Sequence, residues 1–218
     1  MIKKNWTFLP YDEEVYNKSK HRVMFVGADP NDAKKTNELL SKKDMGVWFN
    51  ELPEGCNQFY KRTVKMLRGI LIDIPDGGSD RYGGHEKRLE HMRFIDLKAT
   101  PGTAKAKTKE VRDYIQDSPE NQIKVSKYFN DPHTFPKYVV LLGNHVHELF
   151  FEFRENKKLS FHKKSLAVCM PHPSHSVGYE ALEMVSKNDL LKKFRPITDK
   201  KLCKWTFDRG KGWHEVSS

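Results

Sequence analysis

The chain has 218 residues, of which 37% are hydrophobic and 11% aromatic. This composition excludes an intrinsically disordered chain and suits one domain with a substantial core. Lys and Arg number 39 against 29 Asp and Glu, which gives a formal net charge of +10. A folded domain this basic is typical of proteins that meet nucleic acid, although a generally basic surface gives the same balance.

The three cysteines lack the spacing of a disulfide framework, a zinc site or an iron–sulfur site. No segment is apolar for long enough to act as a signal peptide or to span a bilayer. The chain also contains no internal repeat and no linker that would divide it. We therefore expect a single cytoplasmic domain over residues 1–218, without a membrane partner.

Four short apolar runs alternate with helical or loop segments, which predicts an α/β protein with a mainly parallel, four-stranded central sheet. The aromatic tail over residues 200–218 predicts either a short terminal strand or a segment that packs on the domain. The four runs cover residues 23–26, 93–97, 138–142 and 166–169.

Apolar residues at helical spacing predict helices between these strands. One covers residues 60–71 and another residues 146–153. A third helical region covers residues 109–129, where Pro119 is a candidate break. A fourth covers residues 180–194.

Two polar motifs directly follow predicted strands: GADPN at 27–31 and HPSHS at 172–176. Ligands of open α/β sheets bind beyond the carboxyl ends of the strands, so Asp29 and His172 are expected at one crevice. A carboxylate there can orient a water or stabilise positive charge, but an Asp-Pro turn also simply caps the next element. Pro173 would stiffen the loop and fix the imidazole, although a loop histidine is often only structural.

Two further segments have both a functional and a structural interpretation. The aromatic segment 45–50 could stack a flat ligand through Phe49, or Trp48 and Phe49 could belong to the core. The lysines between residues 98 and 109 would suit a phosphate backbone, or they could solvate the surface.

His145 and His147, at i and i+2 on a helix, do not share a face and predict no metal site.

Taken in this order, the segments over residues 23–179 resemble the uracil-DNA glycosylase superfamily. GADPN resembles its first catalytic motif, Gly-Gln-Asp-Pro-Tyr, and HPSHS its second, His-Pro-Ser-Pro-x-Ser. The segment that ends in FN at 49–50 resembles the one whose phenylalanine stacks on the extruded base, and the following CNQFYKRTVKML resembles the next helix. The resemblance implies a three-layer α/β/α fold without a cofactor, with Asp29 and His172 as catalytic residues and Phe49 against the base.

Two departures from the family pattern affect which base the pocket is expected to accept. Asp96 stands where the family carries a base-reading asparagine. An ionised carboxylate only accepts hydrogen bonds, so it suits the amino group of cytosine and is repelled by the O4 carbonyl of uracil. A protonated carboxyl, which burial would favour, could instead donate to N3 of cytosine while accepting from its N4 amino group. Asn31 stands where the uracil enzymes carry a tyrosine that closes the pocket, which leaves room for a C5 substituent. Beside Ala28, these residues predict a cytosine-type base, such as a hydroxymethylated or glucosylated one.

The resemblance implies a monomeric enzyme that flips a nucleotide out of DNA and cleaves its N-glycosidic bond without a metal. Its role would be defence against phage DNA or repair. The alternatives are a uracil-excising repair enzyme, a DNA-binding member without catalysis and a hydrolase of free nucleosides. Val177 or Tyr179 would fill the vacated stack. The remaining DNA contacts expected are Ser174, His175, Ser176, Lys98, Lys105 and Lys107.

Overall fold

The computed structural model describes residues 13–28, 57–75, 86–98, 108–173, 190–199, 204–208 and 212–216. The elements below are numbered along these ranges. Among the helices of these ranges, none has the length and apolar character needed to cross a membrane.

A single sheet of seven strands forms the centre of the described fold. Its order is β2-β1-β3-β4-β6-β7, and β5 pairs with β4. The first five strands of this path are mutually parallel, whereas β7 and β5 are antiparallel to their neighbours. The strands are β1 (Val23–Gly27), β2 (Met92–Asp96), β3 (Tyr138–Leu142), β4 (Leu166–Met170), β5 (Arg195–Pro196), β6 (Lys204–Asp208) and β7 (Gly212–Val216).

The α/β class and the mainly parallel sheet are confirmed, but the expected number of four strands is wrong. The additional strands come from the end of the chain, where Lys204–Asp208 extends the parallel part of the sheet to five strands. This segment alternates polar and apolar residues, which is the pattern of a half-buried strand. The aromatic tail therefore belongs to the sheet itself.

Helices cover both faces of the sheet. The predicted helix 109–129 is two helices because Pro119 has no N–H to donate, and Ser118 caps the second of them by accepting a bond from the Asn121 N–H at 3.3 Å. The helices are α1 (Glu13–Lys18), α2 (Asn57–Ile70), α3 (Glu86–Leu89), α4 (Thr108–Gln116), α5 (Pro119–Asn130), α6 (Asn144–Glu155) and α7 (Leu190–Lys193).

Side chains that alternate along the strands build two separate cores. Val23 and Phe25 of β1 pack in one core with α2, α3 and α7, whereas Met24 and Val26 pack in the other with α4, α5 and α6. All five residues of β1 are buried, as expected for a parallel strand covered on both faces.

The strand order creates one place where neighbouring connections diverge. From β1 the chain goes to β2 on one side and then to β3 on the other side of β1. In sheets of this kind, ligands bind in the crevice beyond the carboxyl ends of the strands at such a switch point. The carboxyl ends of β1 and β3 therefore define the place to look for a site.

Candidate functional site

Four of the site residues predicted from the sequence lie within the described residues: Ala28, Asp96, Lys98 and His172. All four follow or end a strand of the parallel sheet, at its carboxyl edge. The other predicted site residues lie outside the described residues, and they are Asp29, Asn31, Phe49, Lys105, Lys107, Ser174, His175, Ser176, Val177 and Tyr179.

Asp96 is the last residue of β2, and its side chain leans over β1. It is paired in register with Gly27 and is only 7% exposed. A Cβ atom at position 27 would lie 2.1 Å from Oδ1 of Asp96, so the carboxylate occupies the space that a side chain there would need. The strand alternation that sends Phe94 to the face covered by α2 sends Asp96 to the same face. Asp96 therefore reaches from β2 toward the switch point.

Backbone hydrogen bonds continue the ladder beyond the end of β1. The Leu97 N–H donates to the Gly27 carbonyl at 3.0 Å, and the Lys98 N–H donates to the Ala28 carbonyl at 2.9 Å. Ala28 is thereby held beside the end of β2. It is the residue from which the chain continues to Asp29.

His172 lies against the end of β3. Gly143, directly after β3, has φ 92° and ψ 163°, a backbone conformation that is essentially restricted to glycine. A Cβ atom at this position would lie 3.5 Å from the Cβ of His172. The Gly143 N–H also donates to the Met170 carbonyl at 2.7 Å, which joins the ends of β3 and β4 just before His172.

These contacts place residues from the ends of the two flanking strands, β2 and β4, beside the two central strands. Neighbouring strands are about 4.8 Å apart, so β2 and β4, separated by β1 and β3, are about 14 Å apart. Asp96 leans over Gly27 from one side, and His172 lies against Gly143 on the other. A carboxylate and an imidazole-bearing residue thus border the crevice from opposite sides.

Sequence reasoning missed Arg62, which contacts the same loop from α2. Its side chain is 9% exposed, and its guanidinium donates to the carbonyl of Pro173, the residue after His172. Its position in the helix could have identified it. Arg62 lies one turn before the buried Met66 on the apolar stripe of α2, where a charged residue needs a buried partner.

Lys98 is less open to a ligand than the sequence suggests. Its Nζ lies 3.3 Å from a carboxylate oxygen of Glu110 on α4, and its side chain is 12% exposed. A phosphate that bound Lys98 would therefore compete with Glu110.

The two histidines of α6 lie apart from each other in their contacts. His145, at the start of α6, has its Nδ1 3.2 Å from the hydroxyl oxygen of Thr108, and His147 is buried.

The histidines whose pKa values shift clearly lie at the opposite, amino edge of the sheet or in its loops. Burial lowers the pKa of His91, and the neighbouring His21 lowers it further. Nδ1 of His91 lies 2.6 Å from the Ser19 hydroxyl oxygen, which also accepts a bond from the His21 N–H at 3.0 Å. These groups stand just before β1 and β2 and are separate from the candidate site.

Within the described ranges, no three His, Cys, Asp or Glu side chains come together as ligands for a metal ion. At the carboxyl edge, the described residues place the carboxylate of Asp96 beside Gly27 and His172 beside Gly143. Comparison of the chain with protein-family models gave no match, and comparison with curated proteins gave none either.

Proposed function

We propose that the protein is a DNA glycosylase that hydrolyses the N-glycosidic bond of a flipped-out, cytosine-type base and leaves an abasic site. The observation that carries this proposal is the placement of Asp96 and His172 on opposite sides of the β1–β3 crevice. In the sequence, Asp29 directly follows Ala28, and it is the second carboxylate that the proposal uses. The net charge of +10 favours a polyanionic substrate.

The reaction needs one group at the sugar and another at the base. As the C1′–N bond breaks, its electron pair leaves with the base and the sugar becomes oxocarbenium-like. Asp29 stabilises this cation and orients a water. The water oxygen bonds to C1′, one of its O–H bonds breaks, and that proton passes through solvent to the departing base anion. His172 donates a hydrogen bond to O2 of the base, where negative charge accumulates.

Asp96 is proposed to read the edge of the base. Its carboxylate accepts a hydrogen bond from the N4 amino group of cytosine, whereas the O4 carbonyl of uracil would face it with like partial charge. Because Asp96 is 7% exposed, little water could separate its carboxylate from a mismatched carbonyl, and two acceptors would face each other. Asn31 is smaller than the tyrosine of the uracil enzymes, and this difference would suit a C5-substituted cytosine such as that of phage DNA.

The test is the formation of abasic sites in four duplexes that carry uracil, cytosine, hydroxymethylcytosine or glucosylated hydroxymethylcytosine. We expect alkali-labile breaks in a modified-cytosine duplex, and losses of about 100-fold or more in Asp29→Asn and His172→Ala. Asp113→Asn on α4 is the matched control, because its carboxylate pairs with Lys109 on the helix surface. Faster excision of uracil would contradict the role of Asp96, and binding to DNA without breaks in any duplex would indicate a non-catalytic protein.

A further inference from the structure

We infer that Arg62 is a positioning residue that holds His172 in its working orientation; this rests on the proposed role of His172 in base excision. Arg62 precedes Pro173 by 111 positions in the chain, yet its guanidinium donates to the Pro173 carbonyl. The contact therefore ties the first half of α2 to the loop that follows β4.

The chemistry of this contact explains why an arginine lies in an apolar face. β4 ends at Met170, so the sheet ladder supplies no donor to a carbonyl three residues later. A buried carbonyl without a donor is costly, and so is a buried cation without an acceptor. The planar guanidinium satisfies the carbonyl and presents further N–H groups from the same rigid fork.

The loop is held on its other side by β3. The Gly143 N–H donates to the Met170 carbonyl at 2.7 Å, and His172 lies beside Gly143. His172 thus lies between one backbone anchor at Met170 and a second at Pro173. The two anchors hold the backbone on both sides of His172, which sets the point from which its imidazole projects.

The chain contains a matched arginine that lacks this connection. Arg88 on α3 is 7% exposed, and its Nε donates to the Leu71 carbonyl at 3.3 Å. It lies on the same face of the sheet as Arg62 but at the end of α2 remote from His172. Arg62→Met and Arg88→Met both remove a buried guanidinium from a carbonyl, so their comparison separates loss of stability from loss of positioning.

Two readouts test the inference. The first is single-turnover and steady-state excision from the duplex that the wild-type protein cleaves. We expect Arg62→Met to lower kcat about 10- to 100-fold with little change in KM, because misplacement of a reacting group by about 1 Å has this effect. Arg62→Lys, which keeps a donor, should recover part of the loss and guards against misfolding of the methionine variant. Arg88→Met should keep kcat within about two-fold.

The second readout does not depend on activity. It is the NMR spectrum of histidine-labelled protein without DNA, with the His172 ring signals assigned from a His172→Gln variant. We expect these signals to shift in Arg62→Met and to stay in place in Arg88→Met. Unmoved His172 signals together with wild-type kcat in folded Arg62→Met would overturn the inference. If the wild-type protein releases no base, the proposed function fails, and the ring signals alone decide the role of Arg62.

Discussion

The carboxylate of Asp96 lies so close to Gly27 that a Cβ atom on residue 27 would be 2.1 Å from its Oδ1. The two residues are 69 positions apart but are paired in register at the carboxyl ends of β2 and β1. A residue with a Cβ atom therefore does not fit at position 27 unless the Asp96 carboxylate on β2 moves.

We predict that Gly27→Ala is strongly disfavoured as long as Asp96 is present. The methyl group would force the buried carboxylate to move, and overpacking of this kind costs about 1–3 kcal/mol. Urea unfolding of Gly27→Ala, Asp96→Ala and the double variant measures the coupling of the two sites. The double variant should be less destabilised than the sum of the singles. Strict additivity would show that the methyl group is accommodated without moving Asp96.

Gly143→Ala should be destabilised because of its backbone and not because of crowding. Its φ of 92° lies in a region that is costly for any residue with a Cβ, by about 1–3 kcal/mol. Lys157, with φ 55°, is the matched position away from the site, where Lys157→Gly should be neutral or stabilising by up to about 1 kcal/mol. Thermal unfolding checks both changes. A stable Gly143→Ala protein would contradict the assigned conformation.

Stability should fall as the pH is lowered through the histidine range. Burial lowers the pKa of His91 from its usual 6.5, with His21 as the next cause, so the unfolded chain binds its proton more readily than the folded chain. The contribution of His91 to the free energy of unfolding is therefore fully present above about pH 6.5 and is lost as the pH falls toward the lowered pKa of the folded state.

His91→Gln should flatten this part of the pH profile, as measured by urea unfolding between pH 7.5 and pH 5. His21 also has a lowered pKa, through burial and then through Lys137 and Lys20, so some slope should remain. An identical slope in His91→Gln would show that His91 does not titrate differently in the folded state.

Removal of the carboxylate of Glu110 should strengthen DNA binding if Lys98 contacts phosphate. Glu110→Gln releases the ammonium that now lies 3.3 Å from the Glu110 carboxylate. Lys98→Gln should weaken binding and reduce the slope of log K against log salt by about 0.9, the value for one phosphate contact. Lys124→Gln, whose ion pair lies within α5, is the control. Equal slopes in the wild-type protein and Lys98→Gln would assign Lys98 to the structure alone.

The first four strands and most helices could be predicted because their signals are local. Val23–Gly27 is a short apolar run that ends in glycine, and the break at Pro119 follows from the missing N–H of proline. The strand Lys204–Asp208 was harder to assign, since its alternation is short and its partner on β4 is contacted through a single pair, Cys169 and Lys204.

The contacts around the site could not be predicted because each depends on how distant segments align. The position of Asp96 at a strand end follows from the sequence, but its lean over Gly27 requires the register of β1 with β2. The bond from Arg62 to Pro173 requires the packing of α2 on the sheet. From the sequence, Arg62 is a charged residue on an apolar helix face, and its partner is not specified.

The most direct measurement is competition between bases in one tube, with the released free bases quantified by mass spectrometry. Duplexes that carry uracil, hydroxymethylcytosine and glucosylated hydroxymethylcytosine are mixed in equal amounts and incubated with the wild-type protein or with Asp96→Asn. We predict release of a modified cytosine by the wild-type protein and a shift of the ratio toward uracil in Asp96→Asn. Preferential release of uracil by the wild-type protein, or an unchanged ratio in Asp96→Asn, would contradict the assignment of Asp96 as the residue that selects a cytosine-type base.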